Sequence, residues 1–144
     1  MSAPDFLDSN VLIYAYQKTD RTKQSIAQKI VSRAQAGEFL ISTQVLAEFS
    51  ATLLYKMSPR ANPKDVLQIL RVLSPIRVLS PDSDTIHRAV EAHSTYGVHF
   101  YDGMIIAAAE RAGCERIWSE DLSSSQTYFG IKVVNPFGST KVTV

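Results

Sequence analysis

The sequence predicts an α/β fold: a three-layer α/β/α sandwich with a mostly parallel central sheet of about five strands. Two observations carry this prediction. Short apolar runs alternate with longer segments of helical periodicity, and prolines and glycines separate the two kinds of segment. Strands that alternate with helices are typical of a parallel sheet covered on both faces. The length of 144 residues suits one domain with a true core, so we expect a single domain spanning residues 1–144.

The predicted strands are short runs rich in apolar residues, as expected for strands that are buried on both faces of a sheet. They span residues 5–7, 39–42, 76–79, 116–118 and 131–134. The acids that follow the third run, Asp82 and Asp84, look like helix caps, and we expect that strand to be peripheral.

The predicted helices have their own local signals. The second carries a polar stripe at i, i+4 spacing, and the third has Pro63 at a position suited to a first helical residue. The fourth begins behind the cap Asp82, and the fifth ends at Gly113. The five segments are about 21–36, 43–57, 63–73, 82–96 and 101–112.

Composition limits the class of protein. Apolar residues make up 45% of the chain without any run of about 18, so we expect a soluble protein with no membrane partner. The N-terminus lacks the pattern of a signal peptide, and the single cysteine, Cys114, fits a reducing compartment, so we predict a cytoplasmic location.

The net charge of +1 lacks the overall basic character that is usual for nucleic-acid binding. Attraction to phosphate must therefore be local or come from a bound metal.

Four acidic residues far apart in the chain are predicted to meet at one edge of the sheet. Asp8 ends the first strand, and the helix of Glu48 leaves the second strand at once. Asp102 opens a helix that ends just before the fourth strand, and Asp121 follows that strand. All four placements fall at the carboxyl ends of the strands, where open parallel sheets bind their ligands.

Clustered carboxylates favour a hard divalent cation. Two unit charges about 4 Å apart repel by roughly 4 kcal/mol at an effective dielectric of 20, and oxygen-binding ions offset this repulsion. Each acid also has a simpler structural role open to it. Asp8 and Asp102 suit helix caps, Glu48 suits a solvated stripe, and Asp121 suits the start of a turn. Only the conjunction of the four predicts a Mg²⁺ site, with Mn²⁺ as the natural substitute.

Four motifs that contain these acids resemble the PIN domain, the fold of many small metal-dependent ribonucleases. They are FLDSNVLIY at 6–14, STQVLAEF at 42–49, YDGMIIAAA at 101–109 and WSEDL at 118–122. The resemblance implies a PIN-like sandwich with Asp8, Glu48, Asp102 and Asp121 as the acidic quartet. Ser119 matches a hydroxyl position of the family, and Asn10 matches the polar residue that closes the first motif. Serine stands at positions 9 and 119, where threonine is also common.

The resemblance further implies the activity and the partners. We expect a metal-dependent endoribonuclease that hydrolyses RNA phosphodiester bonds and leaves a 5′-phosphate and a 3′-hydroxyl. Direct metal contact is expected first from Asp8 and Asp102, then from Asp121, with Glu48 bound directly or through water; one or two ions remain open. Many relatives are VapC-type toxins with a cognate antitoxin, so an antitoxin and a homodimer are expected as well.

Rival interpretations fit less well. A haloacid-dehalogenase-type phosphatase has a second aspartate where this chain has Asn10, and a receiver domain has a lysine after its fifth strand, where this chain has Asn135-Pro136. His87, His93 and His99 lack a metal-ligand spacing. One alternative stays open: a non-catalytic PIN-fold module that binds RNA or a protein without cutting.

Overall fold

A computed structural model describes residues 3–138 and has one five-stranded sheet in which every pairing is parallel. The strands are β1 (Asp5–Leu7), β2 (Phe39–Ser42), β3 (Arg77–Leu79), β4 (Arg116–Trp118) and β5 (Lys132–Val134). Their order across the sheet is β3-β2-β1-β4-β5. The predicted α/β class with a parallel central sheet is confirmed, and β3 lies at an edge, as expected.

Six α-helices and one π-helical segment connect the strands. The α-helices are α1 (Ser9–Tyr16), α2 (Arg21–Gln35), α3 (Thr43–Ala51), α4 (Pro63–Leu73), α5 (Ser83–Tyr96) and α6 (Phe100–Arg111). The π-helix spans Thr52–Lys56 and continues α3 without a break, so the segment predicted as one helix over 43–57 has two helical forms. Among residues 3–138, no helix is both long and apolar enough to cross a bilayer.

The helix α1 was not predicted from the sequence. It has only eight residues, and its Ser9-Asn10 start resembles a turn. Its buried residues include Val11, Leu12 and Ala15, so packing in the core and against α2 and α3 stabilises a helix that is too short to be stable alone. The helix also carries Asn10 directly behind the first strand.

The start of α6 differs from the prediction. The helix begins at Phe100, and the side chain of His99 caps it by accepting a hydrogen bond from the Tyr101 N–H. Asp102 is therefore the third residue of the helix and not its cap. This frees the Asp102 carboxylate from the backbone role that the sequence left open.

The central strand β1 determines where a ligand site forms. It pairs with β2 on one side and with β4 on the other, and the chain passes from one side to the other only after β3. The direction of winding therefore reverses between β1 and β4, and a crevice is expected beyond their carboxyl ends. Asp8 and Ser119 are the residues that follow these two strands.

The core packs on both faces of β1 and β2, whose residues are all buried. Phe6, Phe39 and Phe49 are among the largest fully buried side chains. In contrast, Arg77 and Val78 of the edge strand β3 are exposed. The rigid middle of the sheet therefore lies directly beneath the acidic residues that follow β1 and β4.

Candidate acidic active site

Asp8 lies at the centre of the carboxyl edge of the sheet and is only 4% exposed. It is the N-cap of α1, and its Oδ1 accepts a hydrogen bond of 2.7 Å from the Ser9 N–H. Its Oδ2 accepts hydrogen bonds from Ser119 Oγ at 2.8 Å and from Asn10 Nδ2 at 3.3 Å. The predicted capping role is therefore real, but it uses only one of the two carboxylate oxygens.

The buried position of Asp8 makes its negative charge costly. Burial raises the pKa of this carboxyl from 3.8 to about 7, although the hydrogen bonds from Ser119 and Ser9 act in the opposite direction. The negative charges of Glu48 and Asp121 raise the pKa further. Carboxyl groups whose pKa is strongly raised by burial and by neighbouring acids cluster at functional sites, so Asp8 is a candidate functional residue.

Ser119 and Asn10 connect Asp8 to the loop that carries Asp121. Ser119 Oγ accepts hydrogen bonds from the N–H groups of Asp121 at 3.1 Å and Leu122 at 3.2 Å. Asn10 Nδ2 donates to Asp121 Oδ2 at 3.1 Å, and Asn10 Oδ1 accepts from the Glu120 N–H at 3.0 Å. Both predicted polar residues therefore contact the acids they were expected to accompany.

Glu48 reaches the same edge from α3. Its Oε1 accepts a hydrogen bond of 3.0 Å from Ser9 Oγ, and its Oε2 accepts one of 3.0 Å from Gln44 Nε2. Gln44 Nε2 also donates to the Tyr101 carbonyl at 2.9 Å, which ties α3 to the start of α6. The Gln44 Oε1 atom is buried and has no hydrogen-bond partner among residues 3–138. The polar stripe of this helix therefore faces the acids and not solvent alone.

Asp102 lies in the first turn of α6 and is partly buried. Burial raises the pKa of its carboxyl, and the negative charge of Asp121 and then that of Glu48 act in the same direction, while His99 opposes them. The negative charges of Glu48 and Asp121 therefore act on both Asp8 and Asp102, which brings all four predicted acids to one region of the protein. Their catalytic and metal-binding roles remain predictions.

The chemistry of this donor set fits a hard cation, although the side chains are not arranged around one point. Among residues 3–138, no three acidic, histidine or cysteine side chains form a ready metal-ligand group. Instead, hydroxyl and amide donors hold the carboxylates. Oxygen ligands, raised carboxyl pKa values and the unpartnered Gln44 Oε1 together suit Mg²⁺ or Mn²⁺. Binding such an ion requires Asp8 to lose its proton.

A cluster that the sequence did not predict lies beside Asp121. Glu120 accepts hydrogen bonds of 2.6 Å from both Tyr14 Oη and Lys23 Nζ, and Lys23 Nζ lies 4.7 Å from the centre of the Tyr14 ring. The hydrogen bond to Glu120 is the main reason that the pKa values of Tyr14 and Lys23 are raised. The cluster anchors the 119–121 loop to α1 and α2. The only sequence signal for this cluster is that Glu120 lies between Ser119 and Asp121, two predicted site residues.

Comparison with known proteins identifies the class of protein. The model of the PIN domain family matches residues 6–129, and the chain belongs to this family. Its resemblance to the VapC-type toxins extends to solved structures. None of the curated protein sequences matches the chain.

Three solved structures share this fold. A toxin–antitoxin complex from Klebsiella pneumoniae is 19% identical and has a TM-score of 0.68, with 92% of this chain and 97% of that chain covered. The DNA-bound VapBC of Salmonella typhimurium is 18% identical, with a TM-score of 0.68 and coverage of 93% and 98%. VapC20 of Mycobacterium tuberculosis, a sarcin–ricin-loop-cleaving toxin, is 18% identical, with a TM-score of 0.62 and coverage of 88% and 98%.

Proposed function

We propose that this protein is a metal-dependent endoribonuclease and the toxin of a toxin–antitoxin pair. The observation that carries the proposal is the environment of Asp8, a buried carboxyl whose pKa of about 7 reflects burial and nearby acids. It follows β1 at the carboxyl edge of the sheet, where the winding reverses between β1 and β4 and where sheets of this topology bind ligands. Membership of the PIN family supports nuclease chemistry at that place.

Asp8, Asp102, Asp121 and Glu48 are the residues that would hold Mg²⁺ or Mn²⁺, in the order of contact expected from the sequence. The chemistry that such an ion supplies is acidification of water and neutralisation of charge on phosphate oxygens. Ser119 and Asn10 hold Asp8 and Asp121 in fixed positions through the hydrogen bonds described above. Groups of this kind typically contribute through the geometry of the ligands that they hold.

The proposed reaction is hydrolysis of an RNA phosphodiester. The oxygen of water attacks phosphorus, and the bond from phosphorus to the 3′-oxygen breaks. The 3′-oxygen takes up a proton, which leaves a 3′-hydroxyl and a 5′-phosphate. The chain's part is to orient water and phosphate with its acids and to exclude bulk water from Asp8, whose carboxyl is 4% exposed.

The partners follow from the family and not from any contact in this structure. Neighbours such as the Klebsiella complex and the Salmonella VapBC are toxin–antitoxin assemblies, which supports an antitoxin for this chain. We also propose a homodimer, as the family resemblance implies, and a single domain over residues 1–144 and a cytoplasmic location, as the sequence predicts.

The test is cleavage of end-labelled RNA by purified protein in Mg²⁺, Mn²⁺ or EDTA, beside the Asp8→Asn variant. We expect cutting that needs both the metal and Asp8, and fragments that begin with a 5′-phosphate. Glu38→Gln is a suitable control, because Glu38 precedes β2 at the opposite edge of the sheet. Metal-independent cutting, or full activity of Asp8→Asn, contradicts the proposal.

The second candidate is a non-catalytic module that binds RNA or protein. It is favoured by one observation: the carboxylates are hydrogen-bonded to neutral donors without forming a ready metal-ligand group in residues 3–138. A titration with Mn²⁺ that is monitored by calorimetry distinguishes the nuclease from the non-catalytic module. A nuclease binds the ion with release of a proton as Asp8 ionises, whereas the module does not bind it.

A further inference from the structure

An exposed aromatic pair lies at the start of α6, directly before Asp102 in the chain. Tyr101 directly precedes Asp102 and is 55% exposed. Its ring stacks on that of His99, with 5.7 Å between the ring centres and 24° between their planes. Phe100 meets the Tyr101 ring at its edge, with the centres 5.2 Å apart. The protein therefore displays a nearly parallel aromatic stack next to an acid of the candidate site.

The position of this stack is fixed by the same contacts that build the site. The Tyr101 N–H donates to His99 Nδ1 at 3.2 Å, and the Tyr101 carbonyl accepts from Gln44 Nε2 at 2.9 Å. Gln44 Nε2 also donates to Glu48. The backbone beneath the stack is therefore tied to one acid through Gln44 and is adjacent in sequence to another. A ligand bound there loses little energy in ordering the protein.

We propose that the Tyr101–His99 stack is a platform for an unpaired RNA base next to the phosphate that is cut. This inference rests on the proposed ribonuclease function and names the side chains that hold one base of its RNA. Every base has a π-face, and proteins bind unpaired bases by stacking them on exposed aromatic side chains. Bases within a duplex are stacked on one another and cannot use such a platform.

The location favours a nucleic acid over a protein as the occupant. The acids beside Tyr101 suit a cation-bound phosphate, so a nucleotide can place its phosphate at the acids and its base on the ring. The hydroxyl group of Tyr101 is not needed for this contact.

The experiment compares Tyr101→Leu with Tyr101→Phe and with Tyr55→Leu. Tyr55 is 67% exposed and lies in the π-helix, at the far end of the helix that carries Glu48, so it is a matched control. The assay is steady-state cleavage of a single-stranded RNA in Mn²⁺. We expect Tyr101→Leu to raise KM by about tenfold, the usual effect of losing one stacked base, and to change kcat less. Tyr101→Phe and Tyr55→Leu should behave as the wild type.

The same RNA is then made with one base removed at each position in turn. At one position the missing base should raise KM for the wild type and have no further effect on Tyr101→Leu. This coupling identifies the stacked base, and a purely structural role of Tyr101 does not produce it.

Each other outcome overturns the platform. If wild-type protein cuts RNA in Mn²⁺ and Tyr101→Leu has an unchanged KM, the ribonuclease stands and the platform is wrong, as when Tyr101 instead contacts a protein. If Tyr101→Phe raises KM as much as Tyr101→Leu does, the hydroxyl group and not the ring is responsible. Equal cutting of duplex RNA contradicts the platform, because paired bases cannot stack on it. Failure of the wild type to cut any RNA overturns both proposals.

Discussion

Asn10 Nδ2 lies between two acids that are far apart in the chain: it donates to Asp121 Oδ2 at 3.1 Å and to Asp8 Oδ2 at 3.3 Å. Asn10 and Asp121 are separated by 111 positions. A neutral amide donor thus offsets part of the repulsion between two carboxylates that follow different strands. This contact depends on α1, which places Asn10 two residues behind Asp8.

Removing this amide should weaken the site more than the fold. We expect Asn10→Ala to lower metal affinity or cleavage by about 10- to 100-fold, the usual effect of losing a group that orients a metal ligand. Manganese titration and RNA cleavage are the measurements. Asn62→Ala is the matched control, because Asn62 caps α4 by accepting from the Asp65 N–H. That variant should lose about 1 kcal/mol of stability and keep its activity. Equal activity of the two variants contradicts the bridging role.

The raised pKa of Asp8 predicts how stability depends on pH without metal. Folded protein binds this proton with a pKa of about 7, against 3.8 ordinarily, so between these values the native state holds more protons than the unfolded state. The free energy of unfolding therefore falls as pH rises through this range, by about 4 kcal/mol if Asp8 alone is counted. Above pH 7 this stabilisation is lost. Asp8→Asn should flatten the dependence, which urea unfolding in EDTA at pH 5 and pH 8 measures.

Mn²⁺ provides the control for this prediction. If the proposed function is correct, the ion binds only the folded, deprotonated site, so it should restore stability at pH 8 in the wild type and not in Asp8→Asn. An identical pH dependence of the two proteins in EDTA would show that Asp8 is not the titrating group.

Disrupting the Glu120 cluster should reduce activity even though all four predicted acids are still present. Glu120→Gln should weaken the ion pair with Lys23 and so loosen the loop that carries Asp121. The side chain of Glu120 is 26% exposed and that of Lys23 is 30% exposed. Being partly exposed, the pair contributes about 1 kcal/mol or less to stability. We expect a several-fold higher metal requirement for cleavage and almost unchanged thermal unfolding.

Glu38→Gln again serves as the matched control. Glu38 forms an ion pair with Arg33, with 3.0 Å between the charged atoms, and this pair is distant from the acids. Lys23→Met should reproduce the effect of Glu120→Gln, because it removes the other half of the same pair. If all three variants need the same metal concentration, the cluster has no part in positioning Asp121.

The strands and most helices could be predicted from the sequence because their signals are local. Apolar runs mark the strands, and Pro63, Asp82 and Gly113 mark helix ends, since each acts on its own turn of backbone. The helix α1 could not be predicted in this way, because tertiary packing decides its formation. The π-helix after α3 likewise leaves no recognisable pattern in the sequence.

The acids of the candidate site were predictable for a topological reason: each follows a strand or begins a helix at the same sheet edge. Their partners were less predictable. Contacts such as Ser9 with Glu48, or Lys23 with Glu120, join residues 39 and 97 positions apart. Their geometry depends on helix packing, which no local pattern records. The stack of His99 on Tyr101 escaped prediction because the start of α6 was placed one residue too late.

Gly103 gives a prediction that links packing to the site. A methyl group at this position would lie 2.6 Å from the carbonyl oxygen of Ala89, closer than packed atoms tolerate. Gly103→Ala should therefore push α6 away from α5 and cost about 1–3 kcal/mol of stability, despite the higher helix propensity of alanine. Because Asp102 is the neighbouring residue, cleavage should fall as well, even at temperatures where the variant is fully folded. Ala112→Gly, at the residue that ends the helix, removes a methyl group that packs on the core, so it should lose some stability and keep its activity. A Gly103→Ala protein that is as stable and as active as the wild type would show that α5 and α6 can separate without moving Asp102.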